Sequence, residues 1–174
     1  NIDGNGHKVT QSKKCKNEHA LIYFDGADVL DVNIKDLTFD GIKGGAAIRT
    51  LGANMNIDNC VFQNCEHTQV QGLVRLTQGS ATIKDSKFIN NNCSMVVSYN
   101  YDTNGLAGDK LAIDNCEFEG NTASSTAIVY YVKGDACTIT NSEFRNNKVS
   151  CTNNGATVYL GFQENCTIKK CLFK

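Results

Sequence analysis

The chain repeats one short pattern six times, an isoleucine followed five positions later by a phenylalanine. The copies read IKDLTF from Ile34, IDNCVF from Ile57, IKDSKF from Ile83, IDNCEF from Ile113, ITNSEF from Ile139 and IKKCLF from Ile168. Successive copies begin 23, 26, 30, 26 and 29 residues apart. A repeat of this length is typical of solenoids, propellers and repeat arrays, in which each unit buries its apolar side against its neighbours.

Apolar and polar residues alternate within each repeat. In the copy at Ile113, apolar residues fall at Leu111 and Ile113, and then at Cys116 and Phe118. A spacing of two is the period of a β-strand, so the pattern excludes helical solenoids. The alternation changes phase two residues after each isoleucine, where Asn and Asp predict a corner because they tolerate a left-handed backbone. The exception among the six copies is Lys170.

Each repeat predicts three strands. The first carries the isoleucine, the second the phenylalanine, and the third is an apolar stretch that follows a second Asn-rich corner. The third stretches read GGAAI from Gly44, QGLVRL from Gln71, SMVVSY from Ser94, TAIVYY from Thr126 and GATVYL from Gly155. We therefore predict an all-β fold, a right-handed single-stranded parallel β-helix of about six full coils plus a partial seventh, forming one domain over residues 1–174.

Stacked coils place equivalent residues above one another at the strand spacing of about 4.8 Å. The phenylalanines then form a structural stack inside the solenoid, made of Phe39, Phe62, Phe88, Phe118, Phe144 and Phe173. The residues that follow the isoleucines should face solvent, and several of them alternate in charge. Attractive cross-strand pairs at these positions would fix the register, although a generic solvated face remains the alternative.

Composition excludes two classes of partner. A net charge of -1 and a pI near 6.3 give no basic patch, so we expect no nucleic-acid binding. The longest apolar runs are much shorter than the roughly 20 residues needed to span a bilayer, so we expect no membrane span in this segment. Cysteine and histidine spacings typical of zinc are absent from the sequence, and we expect no metal and no cofactor.

The repeats resemble those of polymorphic outer-membrane proteins and adhesin-like surface proteins, which have a pectate-lyase-like fold. The resemblance rests on IDGNGHKV from Ile2, on GGAAI from Gly44, and on the Phe-x-x-Asn segments 88–91, 118–121 and 144–147. Ile42 and Cys65 replace the family asparagine in two coils. The resemblance implies an extracellular or cell-surface location and an adhesive or structural role, and it carries over no catalytic residue.

The two ends of the chain give further expectations. The first residue is Asn1 and not methionine, which is compatible with a processed precursor. By the same resemblance, Asn1 lies near the start of the solenoid. The last repeat stops after two strands, so we expect that the native chain is a unit of a longer surface protein, or that another subunit docks there by end-to-end self-association.

Nine cysteines leave at least one unpaired if all bridges are internal. We expect Cys60, Cys116 and Cys171 to fill the core, and we predict two candidate disulfides, Cys137–Cys166 and Cys65–Cys93, between adjacent coils. Asn92 and Asn165 begin sequons for N-glycosylation, which chance also explains in a chain with 21 asparagines.

The outward positions of the third strands supply the candidate ligand-binding residues, Arg49, Arg75, Tyr99, Tyr130 and Tyr159. A tyrosine offers a sugar both an apolar ring and a polar hydroxyl, so we expect host or environmental glycans or surface proteins as partners. The null explanation is the ordinary preference of tyrosine for strands. The loop from Tyr99 to Lys110 is a second candidate binding element, and it contains Asp102 and Asp109.

Catalysis is the alternative function, because parallel β-helices also carry polysaccharide lyases and hydrolases. Such enzymes need clustered carboxylates or a metal site. The acidic residues Asp25, Asp28 and Asp31 lie on one connecting segment, and the histidines are scattered at positions 7, 19 and 67. We therefore expect a non-catalytic extracellular module of an adhesin or surface stalk. A carbohydrate-active enzyme and a self-assembling fibre subunit remain the alternatives.

Overall fold

The structure, a computed structural model, describes residues 1–12, 19–100, 108–151, 155–161 and 165–174, with the side chains of residues 26–30 and 68–70 left out. The strands in chain order are β1 (Ile2–Asp3), β2 (Lys8–Thr10), β3 (Ala20–Lys35), β4 (Thr38–Asp40), β5 (Lys43–Gly44), β6 (Ala46–Asp58), β7 (Val61–Gln63), β8 (Glu66–Leu76), β9 (Ala81–Lys84), β10 (Lys87–Ile89), β11 (Asn92–Tyr99), β12 (Lys110–Asp114), β13 (Glu117–Glu119), β14 (Thr122–Ala123), β15 (Ala127–Val132), β16 (Ala136–Thr140), β17 (Glu143–Arg145), β18 (Lys148–Val149), β19 (Ala156–Gly161), β20 (Asn165–Lys169) and β21 (Leu172–Phe173).

The described strands pair in parallel and form two sheets along one solenoid axis. The smaller sheet has seven strands in the order β2-β4-β7-β10-β13-β17-β21, and it contains the phenylalanine of each repeat. The larger sheet has 14 strands and contains the isoleucine strands together with the third apolar stretches. This arrangement confirms the all-β parallel β-helix that the repeats predict.

Two details differ from the expected coil. About five turns are complete, slightly fewer than expected, because the first turn includes residues 13–18, outside the described ranges, and the last described turn has only β20 and β21. The third strand of one coil also runs directly into the first strand of the next in the early turns, where β3 has 16 residues and β6 has 13. In later turns the two remain separate strands.

The predicted first corners adopt a left-handed backbone. Their φ angles lie between 47° and 55° at Asp36, Asn59, Asp85, Asn115, Asn141 and Lys170. Lys170 therefore makes the same corner as the Asn and Asp residues, although its side chain gives no local help. Pairing of β20 and β21 with the preceding coil sets this conformation and offsets its cost of about 1 to 2 kcal/mol.

The six phenylalanines of the repeat stack in one continuous file. Ring centroids of neighbours are 4.6 to 4.9 Å apart, and the ring planes differ by 3° to 4°. The isoleucines of the first strands are also in register from Ile2 to Ile168. Both files are buried except in the last coil, where Ile168 and Phe173 are exposed. These two files form the core.

A second buried file consists of amides at the corner after the phenylalanines. The Asn121 Nδ2 donates to the Phe88 carbonyl at 2.8 Å and to Asn147 Oδ1 at 3.0 Å, while its Oδ1 accepts from the backbone N and Nδ2 of Asn91. One coil earlier, Cys65 occupies this position, and its thiol points to the Phe39 carbonyl. A thiol therefore replaces the amide within the same geometry.

The exposed charges that follow the isoleucines also pair between coils. Lys35 Nζ lies 2.8 Å from an Asp3 carboxylate oxygen, and Lys84 Nζ lies 3.1 Å from one of Asp58. Water screens such pairs, so they contribute to the choice of register more than to stability.

The structure corrects both disulfide predictions, because all four cysteines are free thiols. Cys93 pairs in register with His67, while Cys65 lies at the position of Asn91, so Cys65 and Cys93 do not face each other. Cys137 and Cys166 are register neighbours and remain reduced. Cys15 lies outside the described residues.

We expect Phe88→Ala to lower the free energy of unfolding by about 3 to 5 kcal/mol, since it leaves a cavity in the middle of the stacked file. Urea denaturation followed by circular dichroism measures the change. The matched control is Lys84→Ala in the preceding strand, which removes only an exposed pair and should leave the midpoint nearly unchanged. Equal losses would mean that the interior and exterior are exchanged.

We also expect Asn121→Leu to destabilise the protein by about 2 to 4 kcal/mol, because the Phe88 carbonyl and the Asn91 amide lose their buried partners. Thermal unfolding measures the change. Asn92→Leu, at an exposed neighbouring position, is the control. A stable Asn121→Leu protein would contradict a structural role for the amide file.

Thiol labelling tests the burial of the cysteines. Burial raises the pKa of Cys65 to about 11 and that of Cys93, Cys116 and Cys137 to about 12. Because the thiolate is the reactive form, these residues should resist iodoacetamide in the folded protein, while the exposed Cys166 reacts. Peptide mass spectrometry identifies the labelled sites. Uniform labelling without denaturant would contradict the buried positions.

Candidate functional site

One row of side chains on the third strands brings most of the candidate ligand residues together. Strand register aligns Tyr23, Arg49, Arg75, Ser98, Tyr130 and Tyr159 in successive coils. We call this set the tyrosine row. Its members alternate along their strands with core residues such as Ile48 and Val129, which are fully buried. The row therefore lies on the outer side of the coil wall.

Tyr99 does not belong to the tyrosine row. It pairs in register with Leu76 and Tyr131, is fully buried, and its hydroxyl donates to the Gly79 carbonyl. Burial raises the pKa of this phenol. The sequence prediction was wrong by one residue, because strands of unequal length hide the register in which Ser98 aligns with Tyr130.

Arg75 is in the row but is not available to a large ligand. Only 4 % of the residue is exposed, and its guanidinium donates to the Gln71 side chain. Ser98, the next member, is fully buried. The buried middle divides the tyrosine row into two accessible parts, one at each end.

Tyr130 and Tyr159 form the accessible part in the later coils. Their ring centroids are 5.0 Å apart and the planes differ by 6°, so each ring covers one face of the other. Both residues are half-buried. This stack leaves ring edges and hydroxyl groups for a ligand, rather than two open ring faces.

Tyr23 and Arg49 form the accessible part in the early coils. The Arg49 guanidinium carbon lies 4.7 Å from the Tyr23 ring centroid, and the Tyr23 hydroxyl donates to Asp25 at 3.0 Å. Tyr23 is nevertheless 42 % exposed. Its neighbours hold the ring in place, and desolvation followed by the Asp25 hydrogen bond raises the pKa of the phenol. This set is an ordered aromatic platform.

Sequence reasoning missed Tyr23, although a signal was present. Tyr23, Arg49 and Arg75 are spaced by 26 residues, which equals two of the spacings between copies of the repeat. Extending that spacing one coil toward the amino terminus would have identified the ring.

A groove of about 470 Å³ crosses the first corners of later coils, and it is the place to examine for catalysis. Asp85, Glu117 and Glu143 line it together with two cations. Glu117 accepts from Lys87 at 2.9 Å, and this interaction lowers the pKa of its carboxyl group. Glu143 contacts Arg145 at 2.6 Å. These two carboxylates are held in their ionised form.

The other acidic and basic candidates do not form a cluster. Asp25 and Asp31 are exposed, while the side chain of Asp28 and all of Asp102 lie outside the described residues. Asp109 is buried and accepts from the backbone N of Gly79 at 2.9 Å. His67 is also buried, and desolvation lowers the pKa of its imidazole, so its neutral form is favoured.

Two further features concern modification and metals. Asn92 and Asn165, the sequon residues, are both exposed. Among the described residues, no three His, Cys, Asp or Glu side chains are grouped to hold a metal ion. Within the same ranges, no helix has the length and apolar character required to cross a membrane.

Comparison with known proteins identifies the fold family. No curated protein sequence matches this chain. The family profile described as "Right handed beta helix region" matches residues 1–173, almost the full sequence. The in-register coils and this match lead to one conclusion: the chain belongs to the right-handed β-helix family.

Proposed function

We propose that this protein is a non-catalytic extracellular β-helix module, of the kind found in adhesins and surface stalks, and that it binds glycans through the tyrosine row. The observation that carries the proposal is the exposed Tyr23 ring held between Arg49 and Asp25. A ring that is ordered before binding loses little conformational entropy when a ligand stacks on it.

The chemistry of this platform suits a sugar. The apolar ring offers a surface for sugar C–H groups, and the hydroxyl, guanidinium and carboxylate groups offer donors and acceptors for sugar hydroxyls. Arg49 and Asp25 carry opposite charges, so the platform has little net charge to select for an ion. The hydroxyls of Tyr130 and Tyr159 provide a second contact region in later coils.

Electrostatics favour binding over catalysis in this proposal. A glycosidase requires a carboxylic acid whose pKa is raised so that it can donate a proton. Interactions with neighbouring polar groups instead lower the carboxyl pKa of Asp40, Asp114 and Glu117. Such groups remain ionised at neutral pH, and they are better suited to fix strand register than to transfer protons.

A glycan array with the purified protein tests the proposal. We expect wild-type protein to bind at least one glycan class, Tyr23→Ala to bind about tenfold more weakly, and Tyr23→Phe to lose less because it keeps the ring. The Tyr130→Ala/Tyr159→Ala double variant should also weaken binding. Lys148→Ala, on the exposed strand β18, is the matched surface control.

Two results would contradict the proposal. The binding function fails if the wild-type protein retains no glycan, or if the tyrosine variants bind like Lys148→Ala. Release of new reducing ends or unsaturated sugars from the bound polysaccharides would instead support the carbohydrate-active enzyme.

A further inference from the structure

A second exposed row of polar side chains lies on the first strands of the early coils, away from the tyrosine row. Strand register aligns Asn1, Asn33, Asn56 and Thr82. Asn33 donates from Nδ2 to Asn1 Oδ1 at 2.8 Å, and Asn56 donates to Asn33 Oδ1 at 3.4 Å. The amides therefore form a ladder parallel to the solenoid axis.

The ladder lines two shallow concavities that share residues. One has a volume of about 370 Å³ and is bordered by Asp3, Lys35 and Asp58, while the other has about 390 Å³ and is bordered by Asp31, Asn54 and Ser80. Asn33 and Asn56 line both. We call this continuous surface the amide groove.

The amides in the groove keep hydrogen-bonding capacity for a ligand. A carboxamide has two N–H donors and two acceptor lone pairs. Asn33 uses one donor toward Asn1 and one lone pair toward Asn56, which leaves one of each on an exposed side chain. The buried Asn121 differs, because its two N–H groups and its oxygen are all engaged within the protein.

The repeat of the ladder limits the shape of the ligand. Successive coils are separated by the strand spacing of about 4.8 Å, so a free donor and acceptor recur at that interval along the axis. A ligand that uses several rungs must be extended and must present hydroxyl groups on successive units. A polysaccharide chain has this property.

Charge limits the class of polysaccharide. The side chains bordering the groove include the carboxylates of Asp3, Asp31 and Asp58 but only the ammonium group of Lys35, which already pairs with Asp3 at 2.8 Å. An anionic polymer would meet like charges here. A neutral polymer would bind through hydrogen bonds that salt screens little.

We propose that the amide groove is a subsite for an extended neutral polysaccharide, bound along the solenoid axis by Asn33 and Asn56. This inference rests on the proposed glycan-binding function and adds to it a second site, a ligand class and a ligand direction. The Tyr23 platform lies on the same strand as Asn33, so one strand contributes to both sites.

Affinity electrophoresis in gels containing mixed-linkage β-glucan, galactomannan or polygalacturonate tests the inference. We expect retardation by a neutral polymer at low and high salt, and about tenfold weaker affinity for Asn33→Ala/Asn56→Ala. The matched control is Thr138→Ala/Thr167→Ala, in the same row of later coils but outside the groove. Asn56→Thr, which copies Thr82 of the next coil, is a second variant that preserves the strand.

The outcomes separate the inference from the proposed function. If wild-type protein binds neither these polymers nor any arrayed glycan, both fail. If Tyr23→Ala weakens binding while the amide variants match the threonine control, the groove is overturned and the platform stands. Stronger, salt-sensitive retention by polygalacturonate would also overturn the groove. Selective loss in the amide variants supports it, with equal thermal midpoints excluding misfolding.

Discussion

In-register stacking of equivalent residues is the constraint on which this structure depends. The phenylalanine rings repeat at 4.6 to 4.9 Å, which is the spacing of hydrogen-bonded strands. One distance therefore satisfies ring packing and backbone hydrogen bonding together. Because neighbouring positions along a strand face opposite sides of the wall, the files that build the core necessarily create rows on the exterior. The tyrosine row and the amide groove are two of these rows.

The sequence predicts the first two strands well and the third strand less well, for a physical reason. The isoleucine, the corner and the phenylalanine stand at constant distances within each copy, so their register can be counted directly. The segments between the phenylalanine and the next isoleucine vary in length, and a shift of one residue turns a side chain from one face to the other. Tyr99 was assigned to the wrong face for this reason, and Cys93 was matched with Cys65 instead of His67.

Local preference and coil register also differ in strength. Lys170 adopts the left-handed corner that Asn or Asp occupies in the other five copies, since the two strands flanking it are fixed by the coil below. Cys65 similarly takes the place of a buried amide. Register can therefore tolerate individual residues that a local reading would reject. Side-chain partners such as the Arg49 guanidinium over Tyr23 depend on this three-dimensional alignment, and no local motif announces them.

The two sets of asparagines show how position determines the role of one residue type. Inside the wall, Asn91 and Asn121 direct their amides to the backbone of neighbouring coils, and burial makes any unused donor costly. On the outside, Asn33 keeps a donor and an acceptor at little cost because water can satisfy them until a ligand arrives. The interior ladder consequently restricts substitution, whereas the exterior rows can change their residues without disturbing the coil. Ligand selectivity in such a solenoid can therefore vary through its exterior rows while the stacked core remains the same.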